Sequence, residues 1–267
     1  MELNVTVLSV NLNKVALLRN SRLGQIPSVT GAARIVLGAG AGGITVHPRP
    51  DQRHIRPDDV FELARLVAEH PGIEFNIEGN PFAGPRDNGY PGFDALIDEA
   101  RPHQVTLVPD SDSQLTSDHG WDLTGDTRRL RDLIARYQRG KARASLFMDP
   151  DREAISRARD TGAERIELYT GPFADAALHL GLDHPETLAV FERYRAAAAH
   201  AIAIGLGVNA GHDLDRHNLT LFRRIPGIAE VSIGHALISD ALELGLDATV
   251  RAYLAALQPE ATGSTHP

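Results

Sequence analysis

Imidazole and carboxyl groups close four β-branched runs in this 267-residue chain. His47 follows "GITV", Glu78 ends "IEFNIE", Glu167 lies in "RIELYTG" and His212 ends "GLGVNAGH". These side-chain types exchange protons near neutral pH once an enclosed site tunes them. A second chemistry accompanies them. Lys14, Arg19, Arg22, Arg49 and Arg53 form a basic group in a chain of net charge −8. "IGHALIS" puts Gly234 and His235 where a helix begins, so free backbone N–H groups and the helix dipole meet an anion there. "NAGHD" gives a matching turn at Gly211 and His212. Two anion cradles with acid–base groups between them imply one substrate with two phosphates, or two phosphorylated substrates.

The elements that must position these groups alternate along the whole chain. Strands are expected over 5–11, 43–47, 73–79, 104–110, 143–149, 165–171, 205–212 and 229–235. Helices are expected at roughly 28–38, 57–70, 92–100, 124–139, 151–161, 186–204 and 236–257. Pro57 before Asp58 and Asp59, and Pro150 before Asp151 and Glu153, are start signals, while Gly38, Gly162 and Gly205 are stops. Read as near-continuously apolar, the strands describe a parallel sheet covered by helices. Eight strand–crossover units without a composition break fit a single α/β domain over 1–258, a (β/α)8 TIM barrel, with a frayed tail at 259–267. The first turn lacks GxGxxG, which removes the cue for dinucleotide binding. "GAGAGG" precedes strand two, so it reads as a helix-to-strand turn. Long loops follow strand three (79–92) and strand four (109–123), as lids and binding loops do.

A barrel enzyme carries its chemistry at the C-terminal ends of its strands. Here those ends read Asn11, His47, Glu78, Thr106 with Asp110, Asp149, Glu167, His212 and His235. A single such residue is commonly a helix cap or a solvated group. Five converging on one mouth point to acid–base catalysis. Two carboxylates and two histidines would also suit a divalent metal, although no HxH pair accompanies them. The absence of cysteine excludes disulfides and thiolate metal sites and fits a reducing compartment. The acidic balance argues against nucleic acid, and neither a leader nor a membrane span is expected, which together suggest a cytoplasmic protein.

At these residues the chain resembles the pyridoxine 5′-phosphate synthase family. The resemblance runs from about residue 4 to 257 and rests on "SVNLNKVALLRNSR", "GAGGITVHPRPDQRHI", "FNIEGN", "TLVPD…QLTSDHGWD", "RIELYTG", "GVNAGHDL" and "VSIGHALI", in order. It implies a (β/α)8 barrel assembled as a homo-oligomer, commonly an octamer. It also implies condensation of 3-amino-2-oxopropyl phosphate with 1-deoxy-D-xylulose 5-phosphate, without cofactor or metal. By that resemblance His47 and Glu78 are general bases, His212 is the proton donor and Glu167 stabilises the transition state. Asn11, Arg22, Asp213, Gly234 and His235 would hold the aminoketone phosphate. Arg49, His54 and Thr116 would hold the sugar phosphate.

Three departures stand out. Asn13-Lys14 replaces the commoner Asp-His pair, Asp213 replaces a glycine, and 79–92 is inserted directly after Glu78. Two further readings remain: a metal-dependent sugar-phosphate isomerase or aldolase, and a non-catalytic binder of the vitamer phosphate.

Overall fold

The computed structural model describes residues 6–259, so the expected tail lies outside the described residues from 260 onward. Eight parallel strands close into a barrel in sequence order. They are β1 (Val7–Asn11), β2 (Gly43–Val46), β3 (Glu74–Gly79), β4 (Gln104–Leu107), β5 (Arg143–Met148), β6 (Arg165–Tyr169), β7 (Gly207–Gly211) and β8 (Ile228–Ile233). Closure is made by Val7 to Val10 of β1 running in register with Glu230 to Ile233 of β8.

Among the described residues, eleven helices accompany the strands: α1 (Asn13–Asn20), α2 (Val29–Gly38), α3 (Pro57–Ala68), α4 (Phe93–Ala100), α5 (Arg128–Arg139), α6 (Arg152–Asp160), α7 (Gly171–Leu180), α8 (Pro185–Ala203), α9 (Leu219–Phe222), α10 (His235–Leu244) and α11 (Leu246–Leu257). Local chemistry sets several starts. Ser28 accepts the Gly31 N–H at 3.0 Å and Asp151 accepts the Ala154 N–H at 2.7 Å, each answering a helix N–H that has no partner in its own turn. Asp59 closes α3 by accepting the Arg56 N–H at 2.8 Å.

Four details differ from expectation. The basic stretch after β1 is a helix, α1, which buries Val15, Ala16 and Arg19. Arg19 is therefore not part of an anion cradle. Its guanidinium grips Asp59 with both amino groups and reaches the His54 carbonyl, clamping α1 to the start of α3. The segment 236–257 is two helices, because Gly245 adopts φ 81° and breaks the run. α7 and α9 were not expected, and α5 starts four residues later than the sequence pattern indicated.

The strands are not uniformly apolar. Most of them alternate, and the barrel closes with a largely polar set inside, interrupted by residues such as Val7 and Phe147. Leu8, Val10, Ile44, Val46, Phe75, Ile77, Val105 and Leu107 belong to the buried apolar layer under the helices. The intervening residues face the lumen and bond across it. Thr106 of β4 donates to Asn76 of β3 at 3.1 Å and to Glu167 of β6 at 3.4 Å, and Ser9 pairs with Thr45 at 2.7 Å. Barrels more often fill this space with Val, Ile and Leu. Here the core lies outside the sheet, and the channel below the mouth is built of hydrogen-bonding groups.

Candidate active site

His47, directly beyond β2, is the centre of the mouth and is buried. Its Nδ1 stands 3.8 Å from Glu78 Oε2 and its Nε2 stands 4.0 Å from Asp110 Oδ2, so the ring lies between two carboxyl groups from neighbouring strands. Asn11 donates to the same Glu78 oxygen at 3.3 Å. Asn13 holds the base from behind: its Oδ1 accepts the His47 backbone N–H at 2.9 Å, while its own N–H donates to Asn11 at 3.0 Å. That bond needs only an accepting oxygen, which explains how an amide serves where relatives of the commoner pattern carry a carboxylate.

Electrostatics divide these groups by type. Burial, then the charges of Arg49, His54 and Arg53, hold the His47 imidazole far below its ordinary value, so it is neutral and able to accept a proton. Burial, followed by Arg49 and Arg53, lowers His54 to about 3. Its Nδ1 accepts the Ile55 N–H at 2.9 Å, which leaves the proton on Nε2. The carboxyls move the other way. Burial and the neighbouring charges of Asp110 and Glu230 raise Glu78 to about 8. Burial, then Glu78 and Glu230, raises Glu167 well above the carboxylate range. A neutral imidazole free to accept a proton thus stands beside a carboxyl whose titration has been moved up toward neutrality, an arrangement suited to acid–base work.

Glu167 lies deeper, on β6, and requires a glycine on β7. A Cβ at Gly211 would meet its Oε1 at 2.1 Å. The turn that follows is strained. His212 has φ 79° and Asp213 has φ 56°, both in the left-handed region that side chains avoid. Thr170 holds the turn by donating to the Gly211 carbonyl at 2.7 Å and, bifurcated, to the His212 carbonyl. Asp is among the few residues besides glycine that tolerate such a backbone, which accounts for the second departure. Its carboxylate faces His212 Nδ1 at 2.6 Å, so it binds the imidazole and is drawn away from an incoming phosphate. The other ring nitrogen, Nε2, is 2.7 Å from the Thr116 hydroxyl, and the ring packs edge-on against Tyr169 at 5.3 Å.

The cationic groups are already engaged. Arg49 donates to Asp110 at 2.5 Å and to the Gln114 carbonyl at 3.4 Å. Arg53 holds Asp51 at 2.6 Å and the carbonyls of Gln114 and Leu115 at 3.0 and 3.1 Å. Lys14 stands close enough for its charge to lower both His54 and Asp213. Gly234 caps α10, and a Cβ there would meet Asn11 at 3.1 Å, so the α10 N-terminus, led by exposed His235, abuts the Asn11 end of the mouth. Arg22 lies on the exposed turn after α1, and none of the site's hydrogen bonds reaches it.

The inserted loop 79–92 forms one wall. Asn80 donates to the Asp110 carbonyl at 2.7 Å, Asn88 to the Pro50 carbonyl at 2.8 Å, and Arg86 pairs with Asp112 at 2.7 Å. This ties the loops after β2, β3 and β4 around a cleft of about 130 Å³ lined by His47, Arg49, Asn80, Tyr90 and Asp110 among others. Asn13, Asp110 and Thr170 had no role in the sequence-derived site, although the strand-end pattern marks Asp110 and the departure from the commoner pair marks Asn13.

The family described as "Pyridoxal phosphate biosynthesis protein PdxJ" matches residues 8–259. A relative from Xanthomonas axonopodis pv. citri (strain 306), named pyridoxine 5′-phosphate synthase, is 58% identical over 250 residues, 93% of this chain and 95% of its own. One of the same name from Albidiferax ferrireducens is 56% identical over 251 residues, 93% of this chain and 96% of its own. Among solved structures, a tryptophan synthase from M. tuberculosis superposes with TM-score 0.63 at 11% identity, covering 96% of this chain and 94% of that one. A 3-keto-L-gulonate-6-phosphate decarboxylase from Vibrio cholerae does so with TM-score 0.58 at 12% identity, over 95% and 99%. Those two likenesses concern the barrel alone.

Proposed function

This chain belongs to the PdxJ family of pyridoxal phosphate biosynthesis proteins, and on that premise we propose how its barrel mouth makes pyridoxine 5′-phosphate. The reaction joins 3-amino-2-oxopropyl phosphate to 1-deoxy-D-xylulose 5-phosphate and releases inorganic phosphate and water. The observation that carries the assignment of roles is His47 lodged between Glu78 and Asp110, with the imidazole held neutral and the Glu78 carboxyl raised to about 8. The alternative readings, a metal-dependent isomerase or aldolase and a passive vitamer binder, are not favoured by relatives that share more than half their residues with this chain.

Amine attack on a ketone, dehydration, phosphate loss and ring closure each move a proton at a different atom. Neutral His47 and the near-neutral Glu78 are the bases, and each positioned group contributes on the order of 10²–10⁴-fold. His212, its Nδ1 anchored to Asp213, presents Nε2 as the donor. Glu167, kept protonated by burial, gives a hydrogen bond where negative charge develops. Each bond formed, C–N in the amine attack and C–C in ring closure, is balanced by proton transfers and by loss of water or phosphate, with no step that needs an external oxidant or reductant, so these residues suffice without cofactor or metal.

Asn11, Arg22, Asp213, Gly234 and His235 take the aminoketone phosphate. The α10 N-terminus supports that reading, and Arg22 enters on the family resemblance. Arg49, His54 and Thr116 take the sugar phosphate, and the loop bearing Thr116 keeps water from the imine and enamine intermediates. Leu17, Leu18, Leu23 and Ile26 leave an exposed apolar band along α1 and its following turn, which supports a homo-oligomer. Among the described residues no helix is long and apolar enough to cross a membrane. The cysteine-free composition favours the cytoplasm. Mixing purified protein with both precursors tests the whole reading. Pyridine absorbance should rise together with free phosphate, and neither signal appearing would overturn it.

A further inference from the structure

Asp110 follows β4 and is buried, with 6% of its surface exposed. One of its oxygens gathers groups from two loops, those after β2 and β4. Oδ2 accepts Arg49 Nη2 at 2.5 Å and the Ser117 hydroxyl at 2.7 Å, and it lies 4.0 Å from His47 Nε2. The other oxygen, Oδ1, is buried with no hydrogen-bond partner. Buried carboxylates normally satisfy both oxygens, and a half-satisfied one weakens a fold. What the arrangement supplies is geometry. A single atom sets the spacing between the imidazole and the guanidinium, and links both to the residue next to Thr116.

We propose that Asp110 is a positioning residue for the synthase reaction, holding Arg49 in register with His47 so that the sugar phosphate binds with its reacting carbonyl at the base. This rests on the reading of Arg49 as a sugar-phosphate ligand and His47 as a base. Asp110 acts through Arg49, whose one other side-chain hydrogen bond in the structure is the long 3.4 Å contact to Gln114. Arg53 is restrained differently, by Asp51 and three loop carbonyls, and makes no hydrogen bond to Asp110.

The test is steady-state kinetics of the full-length chain with each substrate varied in turn, on Asp110→Asn, Arg49→Ala and the double variant. Asp110→Asn should raise KM for 1-deoxy-D-xylulose 5-phosphate at least tenfold and leave KM for 3-amino-2-oxopropyl phosphate within twofold. The double variant should be no worse than Arg49→Ala, because both changes remove the same contact. Equal rises for the two substrates, no rise, or losses that multiply in the double variant would overturn the proposal. An Arg49→Ala enzyme with an unchanged sugar-phosphate KM would instead overturn the role given to Arg49, and this inference with it. If Asp110→Asn does not fold, Ser117→Ala serves. It removes the second donor on Oδ2, so a rise of about threefold in the same KM is expected, and an unchanged KM would sink the idea.

Discussion

Glu74 and Glu78 stand four residues apart on β3, facing the same lumen, and their acidities have been driven in opposite directions. Burial pushes Glu74 up, but hydrogen bonds and charge from Arg143 outweigh it and leave it below its ordinary value. Glu78 has no such partner, and burial raises it to about 8. The floor of the barrel repeats the Glu74 pattern. Arg143 also donates to Gln104 at 3.0 Å, and Arg165 donates to Asn209, which in turn donates to Glu230 at 3.1 Å. Only Glu230 escapes full compensation there, rising to about 7 through burial and the charge of Glu74. One polar lumen thus has two regimes. Arginines neutralise the acids at the floor, and at the mouth acids and imidazoles are left to exchange protons.

The sharpest way to break that contrast is to remove a proton carrier at the mouth. Glu78→Gln or His47→Asn should cut kcat/KM by about 10³-fold or more, within the range for a positioned acid–base group. Circular dichroism and the unfolding midpoint should stay close to the parent. A variant turning over near normally would take that residue out of the chemistry.

The pH dependence of stability distinguishes the regimes next. Glu78 titrates near 8 when folded and near its ordinary value when unfolded, so the folded chain binds the extra proton between those limits. Stability therefore falls as pH rises through that window, by about 1.4 kcal/mol per unit for one proton, or about 2 kcal/mol from pH ~6.5 to ~8. His47 and His54 have the opposite sign. Their folded values lie below the ordinary one, so the unfolded chain takes up protons first and stability drops as pH falls below about 6.5. Urea unfolding across pH should show stability falling more steeply above pH ~6.5, where the raised carboxyls act alone, than below it, where the two histidines oppose them. Glu78→Gln should flatten the steep part, with raised Glu167 and Glu230 keeping part of the slope. A parent profile flat between pH ~6.5 and ~8 would contradict the Glu78 environment.

At the floor, Arg143→Met should act on stability and spare turnover. Removing one partner of a fully buried pair costs about 3–5 kcal/mol. Here the side chains of Arg143 and Glu74 remain 24% and 35% exposed, and that access to water reduces the expected loss to about 1–2 kcal/mol. Chemical denaturation measures the loss, and kcat per folded molecule should hold within twofold. A large fall in kcat would join floor and mouth into one functional unit.

The sequence carried much of this and missed one organising fact. The eight units, the strand-end placement of His47, Glu78 and His212, and the special turn at His212 were all legible, because βα periodicity and strand termini are local signals, whereas Glu167, expected at a strand end, sits in the middle of β6. The polar lumen was not legible. "EFNIEG" and "QVTL" do alternate, but which half of an alternating strand faces helices and which faces a channel is decided only when the barrel closes. Arg19 illustrates the same limit. Its cluster of basic neighbours suggested an anion site, while its partner, Asp59, lies forty residues away and appears only on packing. Asn13 stands out in the sequence as an amide that cannot carry a proton, yet its task is to accept one backbone N–H, for which an amide is enough.

Lys14 offers the smallest and most discriminating comparison between the two regimes. Its charge acts on His54 and on Asp213, one group on each side of the mouth, so it contributes to the field there and not to the fold. A floor arginine removed from its acid leaves a half-buried charge behind; Lys14→Ala leaves none. KM for 1-deoxy-D-xylulose 5-phosphate should therefore rise about threefold with kcat nearly constant, the sign of binding lost equally in ground and transition states. The difference from the parent should shrink with added salt, because attraction at a solvent-accessible mouth is screened over about 10 Å at 0.1 M. An unchanged KM, or a rise insensitive to salt, would mean the ammonium makes no long-range contribution to capture, and that Arg49 and His54 hold the sugar phosphate without it.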